Sequence, residues 1–277
     1  MADNPAWQLT GIGNPMRSQA GIVASSEGAL TSFTTLAFHA ERLHQNRVWQ
    51  QVEKTAHGLA NQGICATFFV YPFPATVYGE SIDRRVRALA SLGHEIAQHS
   101  HFYSGRNIDK TNKADDLSME NIHHCVRRDF EALATIGEIP RGFTAGSWFV
   151  NDNVLDALVD LNFVYDCSAQ FPKPKPATLD LRTQWLTSPQ TYSNSRGRLI
   201  RLPTTCSLGE WFKWGRKTAI DNHHFHQLVY LHDYDLLSYR SYFMLFCFLR
   251  MIQRKALMPT SSAAEQYMRY KELPSCL

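Results

Sequence analysis

The chain alternates between segments whose apolar residues recur at helical spacing and short runs that are β-branched and aromatic. The first such run, LTSFTTLAFHAER, reads as a strand ending in a polar cluster. Over 48–59 (VWQQVEKTAHGL) the apolar positions follow a helical period, and Gly63 stands just beyond, where a left-handed cap favours glycine. The next run, ICATFFVYPF, is almost wholly apolar, the pattern of a strand buried on both faces. A helix over 82–92 closes at Gly93, and a strand over 94–101 (HEIAQHSH) follows at once. This βαβαβ rhythm predicts parallel strands covered by helices.

Downstream, a helix over 118–136 leads through EIPRGFTAGSWF to a helix over 152–161, with Asn151 as its N-cap, and then to the short strand FVYDCS. Residues 171–197 turn to Pro, Thr, Ser and Asn; this is too long for a plain connection and reads as a substrate-side loop or lid. Two more strands, RLIRLP and QLVYLHDY, precede C-terminal helices. With 277 residues, 44% of them apolar, the elements predict one α/β domain over 29–277 after an N-terminal extension over 1–28.

Charge and cysteine usage narrow the function classes. The net charge is +3 with Lys and Arg scattered along the chain, which excludes the basic footprint of a nucleic-acid binder. Six cysteines lie far apart with no CxxC pair, as free thiols of a reducing compartment do. The start lacks the layout of a secretory signal, so a cytoplasmic enzyme is expected. The apolar run over 242–249 (YFMLFCFL), bounded by Arg240 and Arg250, is shorter than the roughly 20 residues that span a bilayer. It reads as a buried helix or as one lying at a membrane surface, so no transmembrane segment is expected and a peripheral membrane contact stays open.

Candidate chemistry gathers at strand ends. In GHEIAQHSHFYS, His99 and His101 are two apart and project from one face of a strand, an arrangement that suits a borderline metal such as zinc. The first strand ends in His39 and Glu41, again two apart, and a late strand ends in His232. In a parallel α/β sheet the carboxyl ends of the strands form one rim, where such folds place their sites.

From Leu30 to Leu237 these pieces resemble the polysaccharide deacetylases, the carbohydrate esterases built on the NodB homology domain. ICATFFV with GHEIAQHSH is similar to the family's second motif region, whose strand carries metal-binding histidines. PRGFTAGSWFVNDNVLDALVDLNFVYDCS resembles the stretch joining its third and fourth motifs, with Arg141 in the place of the arginine and Asp166 and Ser168 in that of Asp-x-Ser. LVYLHDY is similar to the fifth motif, whose histidine is His232. Within the family there is a likeness to deacetylase-like proteins of bacterial O-antigen and other surface-polysaccharide biosynthesis. The resemblance implies a distorted, incomplete (β/α) barrel with mostly parallel strands. It also implies an amino-sugar or polysaccharide substrate and a divalent metal, zinc first, with nickel, cobalt or manganese as alternatives.

Two departures bear on the site. The family's first motif is Thr-Phe-Asp-Asp-Gly, whereas this chain has Ala37, Phe38, His39, Ala40 and Glu41, so a histidine stands at the place of the base. The family's second histidine falls four residues after the first, and Tyr103 stands there. His101 can replace that ligand from the same strand face, and Glu41 or His39 can complete a three-ligand site. The alternative is a site that no longer binds metal.

The implied reaction is removal of an acetyl group from an amino sugar at a metal held by His99, His101 and Glu41, or His39. His39, if not a ligand, would take a proton from water, and His232 would return one to the departing amine; an imidazole titrating near about 6.5 suits both tasks. Arg141 orients a carboxylate or lines the site, and Asp166 is its partner or a turn residue. Trp148, Trp185, Trp211 and Trp214 offer flat faces to sugar rings or fill the core. His94 reads as a capping or solvent residue, and His123, His124, His223, His224 and His226 have no assigned role. Two rival functions remain: a non-catalytic carbohydrate-binding or assembly protein on this fold, and a metal amidohydrolase acting on a small amide.

Overall fold

The computed structural model describes residues 33–102, 117–173, 183–215, 226–252 and 257–272. The N-terminal extension over 1–28, Tyr103, His223 and His224 lie outside the described residues. The strands are β1 (Phe33–Ala40), β2 (Thr67–Val70), β3 (Glu95–Ser100), β4 (Gly142–Ala145), β5 (Tyr165–Asp166), β6 (Gln190–Asn194), β7 (Gly197–Arg201), β8 (Thr204–Ser207) and β9 (His226–His232). They form a 9-stranded sheet in the order β6-β7-β5-β4-β3-β2-β1-β9-β8. All neighbours are parallel except the β6–β7 hairpin. This is the distorted, incomplete (β/α) barrel with mostly parallel strands that the pattern and the resemblance predict, left open between β6 and β8.

The covering helices are α1 (Asn46–Ala60), α2 (Phe73–Val77), α3 (Asp83–Ser91), α4 (Met119–Ile136), α5 (Asp152–Asp160), α6 (Tyr239–Met251) and α7 (Thr260–Glu272). Their ends follow the local chemistry of the sequence. The Asn151 side chain accepts from the Val154 amide at 3.1 Å, and Ser118 caps α4 by accepting from the Asn121 amide at 3.2 Å. Gly137 ends α4 at φ 99°, a conformation that costs other residues a clash between Cβ and carbonyl.

Strand alternation sorts the core into two sides. Phe38, Phe68 and Ile96 pack outward against α1 and α3, with the Phe38 and Phe68 rings stacked at 4.7 Å. Ala37, Phe69, Ala97, Tyr165 and Leu228 point the other way and pack with Ala263, Ala264 and Tyr267 of α7, which plugs the inside of the curled sheet. The plug is tied by polar contacts: the Thr260 amide donates to Thr67 Oγ1 at 3.0 Å and the Ser261 amide to Glu95 Oε2 at 3.1 Å. Because side chains alternate, His39, His99 and Tyr230 lie on this same inner side, one or more steps beyond the plug.

Three expectations change in detail. Residues 183–197 of the expected lid are described, and their end builds β6 and the turn into β7, an edge hairpin; residues 174–182 lie outside the described residues. The run over 242–249 falls inside α6, where Leu245 and Phe248 are buried but Phe243 is 53% exposed, so only one face is core. No helix among the described residues is long and apolar enough to cross a membrane. His94 is neither cap nor solvent residue: it is buried, its Nδ1 accepts from the Ala66 amide at 3.2 Å and its Nε2 lies 3.0 Å from the Ala56 carbonyl.

Candidate metal centre

The parallel order brings the carboxyl ends of β1, β3 and β9 to one rim. His39 pairs in register with His232 across β1 and β9, while His99 pairs with Thr144 across β3 and β4. Glu41 follows β1 directly and His101 follows β3 directly, so each lies one pleat beyond a strand histidine on the same face.

The five side chains meet. His99 Nε2 is 3.2 Å from Glu41 Oε1 and 3.1 Å from His101 Nε2, and His101 Nε2 is 3.5 Å from the same carboxylate oxygen. His232 Nε2 stands 3.9 Å from that oxygen. The His39 ring lies 5.0 Å from that of His99 and 5.4 Å from that of His232. Donor atoms of His39, Glu41 and His99 fall within 4.8 Å of one another.

Tautomer and spacing fit a bound cation. His99 Nδ1 is 3.0 Å from the Thr144 carbonyl oxygen; it donates there, which leaves the Nε2 lone pair facing Glu41 and His101. Ligand atoms about 2.1 Å from a tetrahedral zinc stand about 3.4 Å from one another. The separations among His99, His101 and Glu41 have that length, whereas His39 sits further out. His39 Nε2 is buried and has no hydrogen-bond partner among the described residues, the condition of a nitrogen awaiting a ligand or a proton.

Burial sets the charges. It pushes the pKa of His39 well below the usual imidazole range, helped by His99 and His232, so this ring stays neutral. Burial likewise lowers His99. For Glu41 burial acts upward, but the neighbouring His101 and His99 imidazoles outweigh it and the carboxyl stays ionised. His232 is the exception: burial pulls its pKa down, yet the hydrogen bond to Asp235 and the charge of Glu41 leave it raised.

The walls are aromatic. Tyr230 stacks on His39 at 4.9 Å, Trp148 lies 5.2 Å from His39, and Tyr71 lies 4.9 Å from His101. Ser147 and Trp148 both have positive φ, 55° and 58°, a strained pair that holds the indole over the cluster. Of the four tryptophans singled out, Trp148 reaches the site, Trp211 is core, Trp214 packs against the core and Trp185 bridges to Gln170.

Two predicted residues fall elsewhere. Arg141 precedes β4, at the opposite end from the rim, and pairs with Glu265 of α7 at 2.9 Å, half exposed. It neither lines the cluster nor meets Asp166. Asp166 is fully buried and accepts from the Ser168 amide at 2.9 Å; its charged neighbour is Arg201, at 3.8 Å. Ser168 Oγ in turn accepts from the Ala145 amide at 2.9 Å, so this pair braces β4 against β5 beneath the rim. His226 is a buried strand residue bonded to Thr35 at 3.0 Å.

Sequence reasoning missed Tyr71, Tyr230 and Gly146. Tyr230 was within reach, being two residues before His232 on the same face. Nothing in the sequence marks Gly146, where a Cβ would come within 2.2 Å of His101 Nδ1. Gly146→Ala is expected to turn the His101 ring out of the cluster and, if the cluster holds a divalent metal such as zinc, to weaken its affinity about 10–100-fold with the fold retained. Calorimetric zinc titration checks this; unchanged affinity would remove His101 from the ligand set.

No family model and no curated protein matches the chain in sequence. In three dimensions it is similar to a protein from Mycobacterium smegmatis assigned as a polysaccharide deacetylase. That match has 16% identity and a TM-score of 0.62 and covers 94% of this chain and 98% of the other. It is also similar to an allantoinase at 11% identity and TM-score 0.56, covering 88% of this chain and 91% of the other. A third likeness is to a carbohydrate esterase family 4 pseudoenzyme from Bacillus anthracis, at 12% identity and TM-score 0.50, covering 86% and 67%. Identities this low establish a common architecture: the chain has the polysaccharide-deacetylase fold.

Proposed function

We propose that the protein is a metal-dependent hydrolase that removes the acetyl group from an amino sugar of a surface polysaccharide or its precursor. The observation that carries this is the convergence of His99, His101 and Glu41 at tetrahedral spacing, flanked by two further imidazoles. The fold match to a deacetylase-assigned protein supports the substrate class. His99, His101 and Glu41 would hold the cation, with zinc first by the donor set of two nitrogens and one carboxylate. A bound divalent ion supplies Lewis acidity, polarising a carbonyl and making water a better nucleophile at neutral pH.

The chain's own residues do the rest. His39, neutral and with a buried lone pair, takes the proton from the attacking water. His232, whose pKa the hydrogen bond to Asp235 and the charge of Glu41 raise against burial, gives a proton to the departing amine. Trp148 and Tyr230 pack against the His39 ring. Asp233, buried and with its pKa raised to about 7 by burial, accepts from the Arg42 amide at 2.7 Å and fixes the loop that carries Glu41. A cytoplasmic location goes with this reading, on the wide spacing of the cysteines in the sequence.

A non-catalytic carbohydrate-binding role is the second reading, favoured by His39 at the family's base position and by the pseudoenzyme of like fold. Acetate release from N-acetylglucosamine oligosaccharides separates the two. The zinc-loaded protein is expected to release acetate, to lose this on chelation and to recover it with zinc. Sugar binding with no acetate under any metal would establish the second reading instead.

A further inference from the structure

We infer that Arg42 recognises an anionic group of the substrate, so that the amino sugar carries a phosphate or a carboxylate on the side of the rim where Tyr234 covers His232. This rests on the reading of the cluster as a sugar-hydrolysing site.

Arg42 follows Glu41 directly and is held at both ends. Its backbone amide donates to Asp233 Oδ2 at 2.7 Å. Its guanidinium lies 4.4 Å over the Tyr234 ring, and Tyr234 in turn stacks on His232 at 4.9 Å and 13°. Imidazole, phenol and guanidinium thus form one column at the rim. A guanidinium held over a ring by cation–π attraction keeps N–H groups for a forked contact with carboxylate or phosphate oxygens.

The carboxylates around Arg42 are engaged with other groups. Glu41 contacts His99 and His101. Asp233 accepts from the backbone amides of Arg42 and Tyr234, and Asp235 is bonded to His232 through its ring and its amide. Elsewhere Arg128, Arg141, Arg196 and Arg201 each face an acid within 4.0 Å: Asp129, Glu265, Asp160 and Asp166. Arg42 is exposed, and among the described residues no carboxylate pairs with its side chain. A surface arginine without a counter-ion ordinarily sweeps through solvent; this one is held over Tyr234, one ring beyond His232.

Calorimetric titration of the metal-loaded protein tests the idea with three probes: N-acetylglucosamine, its 1-phosphate, and N-acetylglucosaminuronate. At least one anionic probe is expected to bind about 10–100-fold more tightly than the neutral sugar. Arg42→Gln should bring that ratio to about one, and Arg42→Lys should restore only part of it, because a point charge lacks the fork. The two anionic arms tell phosphate from carboxylate. No preference in the wild type, a preference that survives Arg42→Gln, or no binding of either anionic sugar overturns the inference. Acetate release is followed alongside: anion preference without acetate keeps this inference and rejects hydrolysis, and acetate without preference does the reverse.

Discussion

His99→Ala is expected to yield a folded protein that retains no metal, with hydrolysis reduced to background. His99 contributes the nitrogen closest to both other ligand atoms, 3.2 Å from Glu41 Oε1 and 3.1 Å from His101 Nε2. Its ring is fixed by the Thr144 carbonyl and is 1% exposed. Loss of a group that merely orients a ligand weakens metal affinity about 10–100-fold. Loss of the ligand itself should exceed this. Elemental analysis after dialysis should find zinc in the wild type and none in the variant. Zinc should raise the melting temperature of the wild type alone, since an ion stabilises only the state that binds it. Equal metal in both proteins, or none in either, sinks the proposed centre.

His232→Gln is expected to separate proton transfer from metal binding. The ring stands 3.9 Å from Glu41 and pairs with Asp235 through Nδ1 at 3.5 Å, outside the three-ligand set. Metal content should therefore be unchanged while kcat falls about 10²–10⁴-fold, the usual worth of a positioned acid. The sign of the pH dependence follows from the raised pKa of His232, in which hydrogen bonding to Asp235 and the charge of Glu41 outweigh burial. The active form is protonated, so the rate is full below that pKa and declines as pH rises through it. Asp235→Asn removes one of the groups that raises it, and the decline should move to lower pH. In His232→Gln the decline should vanish. An alkaline limb that persists in the variant belongs to another group and takes the donor role away from His232.

Much of this architecture is legible in the chain itself. Alternation fixes which side of each strand meets the core, so His99 and His101 share a face, as do His39 and Glu41, whatever the rest of the fold does. The βαβ rhythm makes the strands parallel and therefore gathers their carboxyl ends. Those two facts place five candidate side chains on one rim before any coordinates are known. The same reasoning misplaces Arg141, because a motif match gives position along the chain but not which end of β4 the residue occupies.

What the sequence determined by itself was local: periodicity, caps and the pleat that pairs residues two apart. Tertiary structure alone decided which donors stand at bonding distance, that His101 lies nearer than His39 to Glu41 and His99, and that Gly146 makes room for it. It also decided that Arg42 lies over Tyr234. These depend on how far β3 and β1 are staggered and curled against each other, and on loops packed from opposite ends of the chain, such as Arg42 against Asp233. Such contacts span nearly two hundred residues, and no local rule of spacing encodes them.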